Sequence, residues 1–318
     1  MAIKAPLGLP ALSVPSDNPL TIEVVGLGRR LFFSPVLSVD RSLSCATCHD
    51  PKRGFADRDS VSAGVHGAKG TRNTPTVLNA AYNRRQFWDG RAESLEAQVA
   101  GPMLSSIEMG HSLDSLVKSC SEDADLRESF RRAFGDGPVT LEKISKAIAG
   151  FERTLLSGNS AFDRYQYGGE KAALNDSAKH GLQVFTDPQK GNCVVCHMIS
   201  SDYALFTDGG FHNLGVGLNS EGEIVDVGRF KETGRDADRG AFRTPSLRNA
   251  ALTAPYMHDG SLKTLKEVVD FYVGGGSSNP YLDARIKPLT LTKEERADLI
   301  EFLVSLTGEI PTVDRTLN

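Results

Sequence analysis

Apolar residues recur at helical spacing in several stretches of the chain, and polar caps mark where most of these stretches begin. A helix starts near Thr21 and carries Val25, Leu31 and Phe32 on its inner side. Ser112 opens another through Leu113, Leu116, Val117 and Cys120. Thr140 caps a third, whose Leu141, Ile144, Ile148, Phe151 and Leu155 form one stripe closed by Gly158. Further on, Leu265, Val268, Val269 and Tyr272 share a face that stops at Gly274-Gly275-Gly276. Thr292 and Glu295 make a capping box for a last helix bearing Leu299, Ile300, Leu303 and Leu306, closed by Gly308. Ahead of all these, Pro6, Pro10, Pro15 and Pro19 oppose helix, so 1–20 read as an extended N-terminal arm lying over a domain surface. Runs that alternate apolar and polar residues are scarce. The pattern predicts a mainly α fold with few short strands.

The elements also repeat. Gly28-Arg-Arg-Leu-Phe-Phe-Ser-Pro35 is similar to Gly181-Leu-Gln-Val-Phe-Thr-Asp-Pro188. Thr74-Pro75-Thr76-Val77-Leu78-Asn79-Ala80-Ala81 matches Thr244-Pro245-Ser246-Leu247-Arg248-Asn249-Ala250-Ala251, an offset of 170 from 74 to 244. The same offset carries Trp88-Asp89-Gly90 onto His258-Asp259-Gly260 and Leu95 onto Leu265 without a gap. The halves are therefore diverged copies of one domain, expected over 21–165 and 166–318. Each copy holds C-x-x-C-H, as Cys45-Ala46-Thr47-Cys48-His49 and Cys193-Val194-Val195-Cys196-His197. This is the attachment pattern of c-type haem: the thiols add across the vinyl groups, and the histidine binds the iron axially. Two complete copies favour covalent haem over a zinc or thiol redox site. The predicted architecture is two tandem cytochrome c-type haem domains related by internal repeat.

Composition narrows the picture. With 318 residues, 40 % of them hydrophobic, the chain can bury two cores. A net charge of −4 with interspersed signs argues against nucleic acid as a partner. No run of about eighteen apolar residues occurs, so no membrane span is expected. Four of the five cysteines lie in the haem motifs, leaving Cys120 as a buried apolar residue and no disulfide framework. Haem is attached to such motifs outside the cytoplasm, which makes the expected compartment the periplasm. Met1-Ala2-Ile3-Lys4 has no signal-peptide character, so a leader is expected to have been removed or replaced.

The internal offset bears on chemistry. A haem iron held by one histidine has one axial position left, and its occupant decides between electron transfer and reaction with a small molecule. Tyr272 lies on the inner face of its helix, and its counterpart 170 positions earlier is Pro102. Tyrosine can ligate iron and proline cannot, so Tyr272 is either a sixth ligand of the second haem or a core aromatic, while the first haem has an open side. Glu108, just beyond Pro102, is the candidate for acid–base work on peroxide in a sheltered pocket, with Gln98 as its hydrogen-bonding companion. Trp88, the one tryptophan, is a packing residue or an electron relay between two haems. His258, its counterpart, suits a hydrogen bond near a haem edge better than ligation.

With both haem motifs, Phe87-Trp88-Asp89-Gly90 and Pro255-Tyr256-Met257-His258-Asp259-Gly260, the chain resembles the bacterial di-haem cytochrome c peroxidase and MauG family from about Asn18 to its final helix. The resemblance implies two haem c domains facing each other across one calcium ion, with Trp88 between the haems. It also implies that the Asn73 side chain and the Thr253 and Pro255 carbonyls hold the calcium, an oxygen set suited to a hard cation. In the peroxidase branch a methionine stands fourteen residues after the histidine of the His-Asp-Gly motif, whereas the MauG branch has a tyrosine. Here that residue is Tyr272. Gln98, Pro102 and Glu108 fall where MauG has its distal-pocket residues. A MauG-like enzyme uses hydrogen peroxide to reach a bis-Fe(IV) state and oxidises side chains of a partner protein, here expected to be tryptophan as for the methanobactin-operon members. The alternative within the family is a peroxidase drawing electrons from a small redox protein; outside it stands a plain two-haem electron carrier.

Two departures qualify the resemblance. Gly191 stands where MauG carries a tryptophan that passes electrons to its substrate, so methylamine dehydrogenase maturation is not expected; Tyr203 or Phe206 offer another route. His66 lies near the loop where peroxidases keep a resting-state ligand of the first iron, but its spacing to Asn73 differs, which favours a solvated loop histidine.

Overall fold

The computed structural model describes residues 3–312; Met1 and Ala2 of the expected arm, and 313–318 at the end of the second half, lie outside the described residues. The first half contains α1 (Ile22–Phe33), α2 (Cys45–Cys48), α3 (Leu95–Leu104), α4 (Leu113–Glu122), α5 (Ala124–Phe134) and α6 (Leu141–Glu152). The second contains α7 (Ala161–Gln166), α8 (Asp176–Thr186), α9 (Phe230–Thr233), α10 (Leu265–Val273) and α11 (Lys293–Ser305). Two short strands, β1 (Phe211–His212) and β2 (Phe242–Arg243), pair antiparallel with Phe211 opposite Arg243. The fold is mainly helical, as the hydrophobic pattern predicts.

Helix starts follow the sequence signals. Thr21 accepts from the Val24 amide at 3.1 Å and Thr140 from the Lys143 amide at 3.2 Å. Thr292 and Glu295 form the expected capping box, and Ser112 and Ser115 form another. The stripes end sooner than the sequence pattern suggests. Leu155 and Leu306 are buried just beyond the last turns of α6 and α11, and Leu113 is exposed at the start of α4. Each half then buries a helix pair against its haem motif. Gly28 of α1 lies so close to α6 that a Cβ would stand 1.8 Å from the Ala147 carbonyl oxygen. In the second half, a Cβ on Gly181 of α8 would stand 1.9 Å from the Asp298 oxygen of α11. Only glycine permits either crossing. Phe151 and Phe302 cover the two glycines in turn. Separate cores grow from these crossings, one around Leu31, Phe32, Phe55 and Ile148, the other around Phe162, Phe185, Phe206 and Phe302. Each such side chain contributes about 1.5–3 kcal/mol by leaving water.

The halves meet about a local two-fold axis. The Asn73 amide donates to the His258 carbonyl at 2.7 Å, and the Arg243 amide donates to the Trp88 carbonyl at 2.8 Å. Shifted by 170 positions, each bond is the image of the other. Asn79 and Asn249 both adopt left-handed backbone, φ 59° and 60°, and take the same place in their halves. The arm crosses this junction: Arg248 donates to the Gly8 carbonyl at 2.7 Å, and the Tyr82 hydroxyl donates to that of Pro10 at 2.9 Å. A buried Arg248–Asp163 pair anchors it further.

Candidate functional site

The single turn of α2 presents Cys45 and Cys48 at one end of the α1–α6 crossing, with His49 at its C-cap. His49 Nδ1 faces the Phe55 carbonyl at 3.2 Å, and His197 Nδ1 faces that of Phe206 at 2.8 Å. Phe55 and Phe206 hold left-handed backbone, φ 57° and 51°, which turns these carbonyls inward. A proton kept on Nδ1 leaves Nε2 as the free lone pair, the form an axial ligand needs. Burial lowers the pKa of both histidines and so keeps the rings neutral. The two motifs thus fit haem c by donor type, spacing and tautomer. Cys193, Cys196 and His197 open into a cavity of about 510 Å³, which also takes Tyr272 and Leu303 into its wall. That volume is in the range of about 300–1,000 Å³ typical of cofactor sites.

Tyr272 lies near Cys193 and Cys196, and burial, with those sulfurs beside it, holds the phenol well above its usual range. Pro102 occupies the matching place within α3, one turn after Gln98 and on the same face. The Met109 amide donates to the Pro102 carbonyl at 3.1 Å, which folds the following loop back toward the helix. The Glu108 carboxylate on that loop is close enough to Cys48 to help raise its thiol pKa, after burial as the main cause. The structure therefore brings Glu108 to the side of the first motif, with Pro102 bonded to the end of its loop and Gln98 one turn earlier on α3. It also shows Glu108 exposed rather than sheltered, because its loop projects outward with exposed Ile107 beside it.

Trp88 sits where the halves meet: its carbonyl accepts from the Arg243 amide, and its Nε1 donates to the Asn73 carbonyl at 2.8 Å. His258 stacks on Phe242 with ring centres 3.5 Å apart, and burial pushes its pKa down to about 4, so it is neutral. The residues expected to hold calcium, Asn73, Thr253 and Pro255, line the same cavity as Trp88. Asn73 is buried and spends its Nδ2 on the Asp59 and Ser60 carbonyls at 3.4 and 3.3 Å, leaving the Oδ1 lone pairs for a cation. His66 is 76 % exposed and 3.8 Å from the Asp40 carboxylate, the geometry of a solvated loop residue. At Gly191 a Cβ would stand 2.6 Å from the Val184 carbonyl oxygen, so a tryptophan does not fit this backbone.

Two residues escaped the sequence reading. Glu152, 5 % exposed on α6, lies close enough to Cys45 to raise its thiol pKa, after burial as the main cause, and its Oε2 has no hydrogen-bond partner. Arg243 is 7 % exposed and lines the cavity. Arg243 stands 170 positions after Asn73, where comparing the halves residue by residue would have found it; Glu152 follows Phe151 as Leu303 follows Phe302 at the two glycine crossings, an equivalence that only the packing reveals.

Comparison with known proteins agrees with this geometry. A family model described as di-haem cytochrome c peroxidase matches residues 22–172, and a cytochrome c model matches 178–307. The methylamine utilization protein MauG of Methylorubrum extorquens is 41 % identical over 296 residues, covering 93 % of this chain and 81 % of that protein. The chain belongs to the di-haem cytochrome c peroxidase and MauG family. It is accordingly a haem-dependent oxidoreductase that uses hydrogen peroxide, with two haem c groups. Both branches are represented among its relatives: the cytochrome c551 peroxidase of Pseudomonas aeruginosa is 37 % identical over 94 % of this chain and 83 % of its own. Among solved structures, a MauG-like protein associated with microbial copper homeostasis superposes with TM-score 0.86 at 35 % identity, covering 96 % of this chain and 95 % of that one. No helix among the described residues is long and apolar enough to cross a membrane.

Proposed function

We propose that this family member works in the MauG manner, oxidising a tryptophan side chain of a partner protein at the expense of hydrogen peroxide. The observation that carries the reading is Tyr272 in the wall of the second haem's cavity, where an anionic phenolate oxygen, not a thioether, would reach the iron. A hard anionic donor favours high oxidation states of iron, which suits a haem that stores oxidising power rather than one that accepts electrons from a donor protein.

When bound, the haems supply the redox-active iron. His49 and His197 would bind their irons, and Cys45, Cys48, Cys193 and Cys196 would tether them. Pro102 offers no donor atom, so the chain itself would not compete with peroxide there. Glu108 takes up a proton at its carboxylate and returns it to the leaving oxygen, while Gln98 orients the incoming molecule. Trp88, fixed by its bond to Asn73, bridges the halves. Asn73, Thr253 and Pro255 hold one calcium ion beside it, and the protein acts in the periplasm. The partner docks away from Gly191, which offers no indole relay.

The test is optical. Peroxide added to the oxidised enzyme should produce near-infrared charge-resonance absorption, and Tyr272→Met should abolish it while raising the second haem's potential. No such absorption in the wild type, together with rapid peroxide turnover supported by a reduced small cytochrome, would sink the proposal in favour of a donor-driven peroxidase.

A further inference from the structure

The local two-fold sets Asn73 and Arg243 in equivalent places, since their amides make the exchanged bonds to His258 and Trp88. The side chains at those places differ in charge. Asn73 is a neutral amide whose Nδ2 is spent on the Asp59 and Ser60 carbonyls, whereas Arg243 carries a guanidinium. The surroundings of Arg243 match that exchange. Its Nη1 donates to Asn83 Oδ1 at 3.2 Å and to the Thr244 carbonyl at 3.4 Å, and its Nε to the Phe87 carbonyl at 3.5 Å. Asn83 is itself the counterpart of Thr253, 170 positions on. The second half thus fills its oxygen-lined seat with a cation of its own.

That cation is not neutralised by the chain. The other two buried guanidinium groups among the described residues each grip a carboxylate: Arg153 with Glu96 and Arg248 with Asp163. Arg243 meets only uncharged oxygens, and burial alone pushes its pKa down to about 10. An unpaired buried charge is strongly disfavoured unless an anion joins it. Its Nη2 has no acceptor among the described residues, and the side chain lines the cavity shared with Cys193, Cys196 and His197. The anion that enters this cavity with the cofactor is a carboxylate, because each haem c carries two propionates.

We propose that Arg243 is the binding site for a propionate carboxylate of the second haem and is the built-in cation of the second half, in the place where the first half offers Asn73 to a metal ion. The propionate site rests on family membership and on the cavity, not on the MauG-like reading, and holds for either branch. Arg243 is a positioning residue: it fixes the haem edge beside Trp88 and sets the local charge.

The experiment uses the fully loaded enzyme and reads the two haem potentials separately by spectroelectrochemistry across pH. Arg243→Gln should lower the second haem's potential, because a positive charge is lost beside it, leave the first haem's potential in place, and make the second pH-dependent as the freed propionate titrates. Arg243→Lys, which keeps the charge, should restore most of the wild-type value. A loaded Arg243→Gln enzyme with both potentials and their pH dependence unchanged would overturn the proposal, as would a Lys variant shifted as far as the Gln variant. If Arg243→Gln fails to retain its second haem, resonance Raman decides between wild type and Arg243→Lys. A shifted propionate bending band supports the contact, and identical bands overturn it.

Discussion

The first and second haem seats are built on one scaffold and differ where the scaffold faces the cofactor. Gly28 and Gly181, Asn79 and Asn249, His49 and His197 are the same residue in both halves, the glycines and asparagines fixed by backbone geometry and the histidines by the carbonyls of Phe55 and Phe206. Around them stand Pro102 against Tyr272, Trp88 against His258 and Asn73 against Arg243 by the offset of 170, and Glu152 against Leu303 by the packing of the two glycine crossings. Every changed pair replaces a group of one chemical character with one of another. The difference teaches that the two seats diverge through side chains on a shared backbone: the first has Pro102 and the carboxyls of Glu108 and Glu152 near its motif, the second has Tyr272, Arg243 and Leu303 in its cavity wall.

The division is tested most severely at Glu108, whose counterpart 170 positions on is Ser278. A positioned general acid–base is worth about 10²–10⁴ in rate, or about 3–5 kcal/mol in the barrier. Glu108→Gln should slow the reaction with peroxide by that factor in stopped-flow absorbance, while Ser278→Ala should leave it unchanged. Equal effects of the two substitutions would mean that peroxide does not distinguish the seats. The shared scaffold makes the opposite prediction. Gly28→Ala and Gly181→Ala each push a methyl group into a helix carbonyl, and each should cost about 3 kcal/mol in denaturant unfolding, the upper end for overpacking. A large loss in one half only would show that the crossing is not a common element.

Much of this was legible in the chain because it is local or repeated. The C-x-x-C-H motifs, the caps at Thr21, Thr140 and Thr292, and the offset of 170 need no knowledge of long-range contacts. The same offset located Pro102 opposite Tyr272. What stayed hidden depends on how the halves face each other. The exchanged bonds between Asn73 and His258 and between Arg243 and Trp88 join residues far apart in sequence, and no periodicity records them. The exposure of Glu108 follows from the path of a loop after α3, which residue type does not dictate. Glu152 was missed for a related reason: it occupies a stripe position on α6 where apolar residues are expected, and only its burial marks it as unusual.

Glu152 offers the gentlest test of the comparison. Burial raises its pKa from the ordinary 4.5 to about 8, an effect that nearby Arg153 opposes and Glu96 reinforces. The folded chain therefore holds this proton at pH values where the unfolded chain has lost it. Stability from this group is full below about pH 4.5 and declines as pH rises toward 8. Glu152→Gln removes that decline, so its stability relative to the wild type should improve by about 4 kcal/mol between pH 5 and pH 8.5, measured by denaturant midpoints. Leu303→Met, at the matching place in the second half, should show no such pH dependence. If wild type and Glu152→Gln run parallel across this range, the carboxyl is ionised and compensated, and the first seat is no more acidic in character than the second.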